Sequence, residues 1–433
     1  MSPPLPARPS ASAVSPARAS AYAVVRRVFE HDAYADRAFH AEAAGLDGRD
    51  RSFAMALAYG TVQRRATLDH VAQRLINRPL AKLDPPVLAA LRLGLMQLLF
   101  MDGVAEHAAV HESVELAKRD ARAGSGLVNA VLRRATREGP EILAALTDTT
   151  PAQAAVRHSV PQWLAELWWR ELGPERARSL LAAVNAPAES AVRVNTLVTT
   201  PQALAGELGV PAHAAAGLPE GLVLDAPFDA YASPAWEAGA IMPQSRGSMT
   251  VARTLDPRPG DRVLDLCAAP GGKTTHLAAL MGDEGAVVGV ERHGGRAEAL
   301  SRTLERMRVT CASVEVGDAS QPRTEAFDRV LVDPPCSGLG TLQSRPDLRW
   351  RTSPQRIAEL APLQAAILRA GAQATRPGGT LVYSVCTISR AESEAVVDDF
   401  LAGTPGWELE STRRPAPDAD GTDGFFIARL RRR

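Results

Sequence analysis

Cysteine is scarce in this chain: four residues among 433, far apart and with no CxxC pair. That spacing suggests neither a zinc site nor a disulfide framework, and it fits a reduced, cytoplasmic protein. An excess of charge is also missing, since 49 Lys and Arg balance 49 Asp and Glu. Any contact with a polyanion must then come from local patches rather than from a field over the whole molecule. Arginine far outnumbers lysine, which leaves guanidinium groups, suited to phosphate, on the surface. No apolar run is long enough for a bilayer; the most apolar one, VLAALRLGLMQLLFM, is short and carries Arg92. Residues 1–18 hold Pro, Ser, Ala and Arg but no acid, and lack the apolar stretch of a secretory signal. They read as a disordered tail, with a transit peptide as the alternative. His107 and His111 stand four apart with Glu112 following, but there is no HExxH order and no third ligand. Surface or helix-capping histidines are expected there.

What is present is a globular composition, 45% hydrophobic and 23% charged, in a chain too long for one core. Two or three domains are expected. Over residues 19–139 apolar residues recur at spacings of three and four, which predicts an all-α domain of six or seven short helices with a mild basic bias. Residues 140–235 mix helical stretches with short strands at AVRVNTL and GLVLD and form a small α+β linker module. Trp163, Trp168 and Trp169 cluster in it; packing of their helix is expected, with stacking on RNA as the alternative. Over residues 236–433 strands and helices alternate, which predicts an α/β Rossmann-like domain with a doubly wound mixed sheet. Ligands bind such sheets beyond the carboxyl ends of the strands.

Those strand ends carry the chemistry. The first leads into DLCAAPGGKTT, where glycines let the backbone approach a ligand ahead of a helix N-terminus. The loop is neither GxxxxGK[ST] nor GxGxxG. The next strands end at Glu291, at Asp318, at Asp333 with Cys336, and at Cys386. An acid or a thiol at every end describes a pocket for a nucleoside cofactor with two thiols facing it.

DLCAAPGGKTT, DPPCSGLG and YSVC resemble the signature segments of the NOL1/NOP2/Sun RNA cytosine-5 methyltransferases, and HESVELAK with GLVNAVLRR resembles the NusB-like antitermination-factor fold. The resemblance implies S-adenosyl-L-methionine as cofactor and RNA as partner, most of all 16S ribosomal RNA before or during small-subunit assembly, acted on by a monomer. It places the cofactor on Cys267, Ala268, Ala269, Pro270, Gly271, Gly272 and Lys273, its ribose on Glu291, where Asp is common, and its adenine on Asp318. Asp333 would lie near the methionyl end and the cytosine edge, Cys386 would be the nucleophile, and Cys336 would assist product release. Val385 replaces a hydroxyl that often precedes the nucleophile in this family. Cys267 is expected to matter through its backbone, and Cys311 to sit in the core.

A thiol suits this chemistry because carbon 5 of cytosine is a poor nucleophile until a thiolate adds at carbon 6. Which thiol attacks stays open at this level. DNA cytosine-5 methyltransferases attack with a Pro-Cys cysteine, which Pro335-Cys336 matches; the second thiol, Cys386, favours the RNA family's arrangement. A transfer-RNA substrate and a non-catalytic ribosome-assembly factor are the alternatives.

Overall fold

The computed structural model describes residues 14–433. The expected tail therefore lies outside the described residues as far as residue 13, and the first helix, Pro16–Glu30, starts ahead of residue 19. The described residues form two compact units: those up to Leu181 together with Arg345–Arg351, and Ala182–Ser344 with Thr352–Arg433.

The first unit is helical. Its helix Pro85–Phe100 begins on two prolines, which suit a first turn, and is buried on nearly all sides from Val87 to Gln97. Arg92 in that helix is neutralised by a two-pronged bond to Asp69 at 2.7 and 2.8 Å, so the apolar run is a core helix. Among the described residues no helix is long and apolar enough to cross a membrane. Glu112 accepts from Ser15 N, Ser15 Oγ and Arg18, which fastens the first helix to helix Glu106–Ala121. Trp168 is fully buried in helix Gln162–Leu172, as packing requires, while Trp163 and Trp169 are partly exposed.

The segment Arg345–Arg351 follows the DPPCSGLG loop in sequence yet packs into this helical unit. Arg349 is fully buried and donates to the Ser159 carbonyl at 3.1 Å. Trp350 Nε1 donates to the Val62 carbonyl at 2.7 Å, and the Arg351 guanidinium lies 3.9 Å from the Tyr34 ring centroid.

The second unit holds two sheets. Strands β1 (Ala191–Val194), β2 (Ala212–Ala214), β3 (Gly221–Leu224) and β4 (Ile241–Pro243) form an antiparallel sheet in the order β2-β3-β1-β4. Sequence patterning shows β1 and β3; β2 and β4 are three residues each, too short to display an alternation. Strands β5 (Arg262–Leu266), β6 (Ala286–Glu291), β7 (Ala312–Val316), β8 (Phe327–Val332), β9 (Thr375–Val385), β10 (Trp407–Arg413) and β11 (Phe426–Arg432) form the larger sheet, in the order β10-β11-β9-β8-β5-β6-β7. β5 to β9 run parallel, and β11 is antiparallel to both its neighbours. The chain moves from β5 outward to β6 on one side and returns to β8 on the other. The switch in strand order therefore opens a crevice between the carboxyl ends of β5 and β8. Helix Pro354–Ala374 lies close on β8 because Gly371 leaves room; a Cβ there would come within 2.7 Å of Val332 Cγ2.

Candidate active site

The loops after β5 and β8 meet at that crevice. After β5, Cys267 takes a left-handed φ of 68°, and Gly271, at φ 105°, caps helix Gly272–Leu280. Only glycine adopts the latter angle freely, and the missing side chain lets the turn pack closely on helix Gly294–Arg306, where a Cβ would come within 2.8 Å of Leu300, while the helix N-terminus at Gly272 lines the cleft. After β8, Pro334 and Pro335 carry the chain to Cys336. A cleft of 420 Å³ lies here, lined by Cys267, Ala268, Ala269, Pro270, Gly272, Lys273, Asp265, Asp333 and Cys386 among others. Gly271, Glu291, Asp318 and Cys336 are not in its lining.

Lys273 points across the cleft. Its Nζ donates to Asp333 Oδ2 at 2.7 Å, and Ser384 Oγ donates to Asp333 Oδ1 at 2.7 Å. Burial works against the ammonium, but the charge and hydrogen bond of Asp333 outweigh it and hold the Lys273 pKa above its ordinary value. Cys336 Sγ lies 3.3 Å from Cys386 Sγ, and all four cysteines are free thiols. The bond to Cys386, with burial behind it, pushes the Cys336 thiol well above the usual range. Burial, aided by Asp333, Asp265 and Glu291, pushes Cys267 up to about 12, so that thiol stays protonated while its backbone shapes the loop. Cys311, just before β7, is only partly buried and packs against the core.

Val385 turns into the apolar core at zero exposure, while its neighbour Ser384 reaches Asp333. Alternation along β9 thus explains why a valine is accommodated beside Cys386: its side chain faces away from the cleft.

Several residues that shape the site escape sequence reasoning. Glu392 is fully buried; its Oε1 accepts from Ser337 N at 2.8 Å and Gln364 Nε2 at 3.0 Å, and its Oε2 accepts from Ser337 Oγ and, at 3.3 Å, from Thr387 Oγ1. It therefore cross-links the residue after Cys336 to the residue after Cys386. In sequence it lies in a polar run, ISRAESE, with no sign of burial. Asp265, inside β5, is buried to 1% exposure and pushed up to about 7, chiefly by burial, with Asp333 adding and the Thr274 hydrogen bond opposing. An acid within an otherwise apolar strand was the available signal. Glu291 is 3% exposed; its Oε1 accepts from His293 N at 2.9 Å and its Oε2 lies 3.4 Å from Arg296. Asp318 accepts through Oδ1 from Ser320 N and Oγ at 2.9 and 2.7 Å. Around His107 and His111 the sequence offered a weak metal reading; among the described residues no group of three His, Cys, Asp or Glu stands ready to hold a metal, and Glu112 is engaged elsewhere.

The profile described as 16S rRNA methyltransferase RsmB/F matches residues 252–431, the NusB family profile residues 15–137, and an RsmF/B-like ferredoxin-like domain residues 160–231. The probable ribosomal RNA small subunit methyltransferase B of Synechocystis sp. is 38% identical over 96% of this chain and 99% of its own. Ribosomal RNA small subunit methyltransferase B of Thermus thermophilus is 37% identical, over 89% of each chain. The crystal structure of PH0851 is 27% identical and superposes with a TM-score of 0.82 over 96% of this chain and 99% of that one. NSun6 from Pyrococcus horikoshii, solved with SFG, is 25% identical with a TM-score of 0.59, covering 63% of this chain and 98% of that one. Fold and relatives together define an S-adenosylmethionine-dependent rRNA methyltransferase that carries a NusB-type helical domain. The chain belongs to the family of ribosomal RNA small subunit methyltransferase B.

Proposed function

We propose that this enzyme moves a methyl group from S-adenosylmethionine to carbon 5 of a cytosine in 16S ribosomal RNA, with Cys386 as the attacking thiol. The observation that carries this is the inequality of the two thiols: Cys386 lines the cleft with Lys273 and Asp333, and Cys336 stands behind it. When bound, the cofactor supplies an electrophilic methyl group. The residues fit it: the helix N-terminus at Gly272 lines the cleft with nothing packed where a Cβ would stand, and Glu291 presents a carboxylate already fixed by its own turn at the end of β6. The co-determination of the NSun6 relative with SFG, an S-adenosylmethionine analogue, supports the same reading. Glu291 would hold the ribose and Asp318 the adenine.

The Cys386 thiolate adds to carbon 6, forming an S–C bond and sending the ring electrons toward N3 and O2. Lys273, kept charged by Asp333, stabilises the negative charge first on the sulfur and then on the ring. Asp333 in turn is held by Ser384, so the Lys273–Asp333 pair is fixed before substrate arrives. Carbon 5, now an enamine carbon, takes the methyl group. Water in the cleft takes the carbon 5 proton as base, the C–H electron pair restores the C5–C6 double bond, and the S–C6 bond breaks to release Cys386 as thiolate. Cys336, 3.3 Å from the departing sulfur, is the group within reach of that last step.

The chain acts as a cytoplasmic monomer, on RNA met before or during small-subunit assembly. Labelled methyl transfer to an unmodified 16S transcript tests the activity, and bisulfite sequencing of RNA from a deletion strain names the base. One 16S cytosine should lose its methyl group. A loss confined to transfer RNA would reassign the substrate, and cofactor binding without any transfer would leave an assembly factor.

A further inference from the structure

Tyr231 is 67% exposed, more than any other large hydrophobic side chain among the described residues. A single exposed tyrosine needs no explanation by itself. This one lines the same cleft as Cys386, Lys273 and Asp333, together with Trp236. The two rings meet edge to face, with centroids 4.7 Å apart and planes at 66°. The Arg306 guanidinium lies 3.4 Å from the Trp236 ring centroid, and its NH1 donates to the carbonyls of Trp236 and Ile241 at 3.0 and 3.1 Å. Around the pair the backbone is pinned. Asp229 accepts from Ala232 N at 3.3 Å, and Ser233 donates to the Ala230 carbonyl at 2.7 Å while accepting from Trp236 N at 3.2 Å. Gly239, at φ 71°, lets this segment press on the helix Gly294–Arg306; a Cβ there would lie 1.9 Å from the Arg306 carbonyl oxygen. An aromatic surface fixed this firmly and left open to solvent is preorganised for a flat ligand.

We propose that the Tyr231–Trp236 pair is a stacking platform for an unpaired nucleobase of the substrate RNA, one that flanks the target cytosine. The cofactor loop Cys267–Lys273 shares this lining, but Glu291 and Asp318, the acids assigned to the ribose and the adenine, are absent from it, which favours a base of the RNA over the cofactor adenine on this pair. RNA is the partner because a cytosine must leave its stack to reach Cys386, and its neighbour then loses a stacking partner that the tyrosine replaces. Stacking on an aromatic face tolerates any base, so the platform serves affinity and placement rather than sequence readout.

This inference rests on RNA being the substrate, and its test separates the two. Wild-type, Tyr231→Ala and Tyr231→Phe full-length chains are compared for affinity to an unmodified 16S transcript, for kcat and KM in methyl transfer, and for affinity to the cofactor. Tyr231→Ala should weaken RNA binding and raise KM for RNA about ten-fold, within the range for loss of one base–aromatic stack, with kcat and cofactor affinity unchanged. Tyr231→Phe should restore wild-type values, since stacking needs the ring and not the hydroxyl. Wild-type affinity in the alanine variant overturns the platform. So does a phenylalanine variant as weak as the alanine one, or a fall in cofactor affinity instead of RNA affinity. If the wild-type chain binds the transcript but transfers no methyl group, the proposed reaction fails while the affinity comparison still decides the platform.

Discussion

On the thiol wall of the cleft, at the ends of β8 and β9, the groups that fix geometry reach from one strand to the other. Ser384 donates to Asp333, Glu392 accepts from Ser337, and Gly340 N donates to the Cys386 carbonyl at 3.0 Å, each across about fifty residues of sequence. On the cofactor wall, at the ends of β6 and β7, the acids are tied to their own turns: Glu291 to His293 N and Asp318 to Ser320, each two residues away. The first wall is a tertiary product and exists only when both strand ends are docked. The second is assembled locally and survives small shifts elsewhere. A damaged thiol wall should therefore cost turnover, and a damaged cofactor wall should cost binding.

The sharpest break is expected at the thiols themselves. Cys386→Ala should abolish methyl transfer and any covalent protein–RNA species. Cys336→Ala should keep attack and transfer but slow release, so that a species resistant to a denaturing gel accumulates on unmodified RNA. Both variants should bind cofactor normally by calorimetry. A trapped adduct in the Cys386 variant and none in the Cys336 variant would reverse the roles and assign attack to the Pro335-Cys336 turn.

Next comes the cross-link beneath them. Glu392→Ala removes the acceptor for Ser337 N and the Gln364 amide, and a buried donor left unsatisfied costs about 1–3 kcal/mol. Stability should fall by about 3 kcal/mol, and kcat about 10- to 100-fold, with cofactor affinity little changed. Glu392→Gln keeps one carbonyl acceptor and should recover much of both. A kcat equal to wild type in a folded Glu392→Ala chain would mean that the thiol wall does not depend on this carboxylate.

The cofactor wall should give the opposite signature. Glu291→Ala should weaken cofactor binding by about 1.5–3 kcal/mol, the worth of a hydrogen bond to a charged group, and leave kcat at saturating cofactor near wild type. An unchanged dissociation constant in the folded variant removes Glu291 from the ribose role.

The same division explains what the sequence made legible. The alternation of strand and helix, the glycine loop after β5 and the acids or thiols at five strand ends are local patterns, and the structure has them in that order. Glu291 ends β6, and Cys386 follows β9, where the strand pattern stops. Glu392 was not legible, because its burial depends on Ser337 and Gln364, which come to it only through the packing of helix Pro354–Ala374. The docking of Arg349 and Trp350 in the helical unit was hidden for a like reason: RPDLRWR holds three arginines and an acid, and the partners of Arg349 and Trp350 lie near residues 159 and 62. Val385 is the intermediate case. A departure from the family pattern was visible, but its harmlessness needed the strand's facing.

The smallest effect is a slope. Two buried groups in the second unit, one of them in the cleft lining, titrate in opposite senses. His276 is fully buried, with Nε2 2.7 Å from Glu220 Oε1, and burial lowers its pKa from 6.5 to about 4. The unfolded chain therefore binds a proton below pH 6.5 that the folded chain refuses until about pH 4, so His276 makes stability fall as pH falls through that window. Asp265 does the reverse. Its pKa is raised from 3.8 to about 7, so the folded chain keeps a proton that the unfolded chain has released, and stability falls as pH rises from 3.8 to 7. Between pH 4 and 6.5 the two slopes oppose, worth roughly 3 kcal/mol for His276 and roughly 4 kcal/mol for Asp265 over their full windows, and the two contributions largely cancel there in the wild-type chain. His276→Gln, which keeps a donor to Glu220, should leave the Asp265 slope exposed, so that stability rises on acidification from pH 6.5 to 4.5. Asp265→Asn should leave the His276 slope and make it fall. Denaturant midpoints of the second unit's transition at pH 4.5, 5.5 and 6.5 measure both tilts. If the single variants tilt the same way, one of the two groups does not titrate as its burial requires.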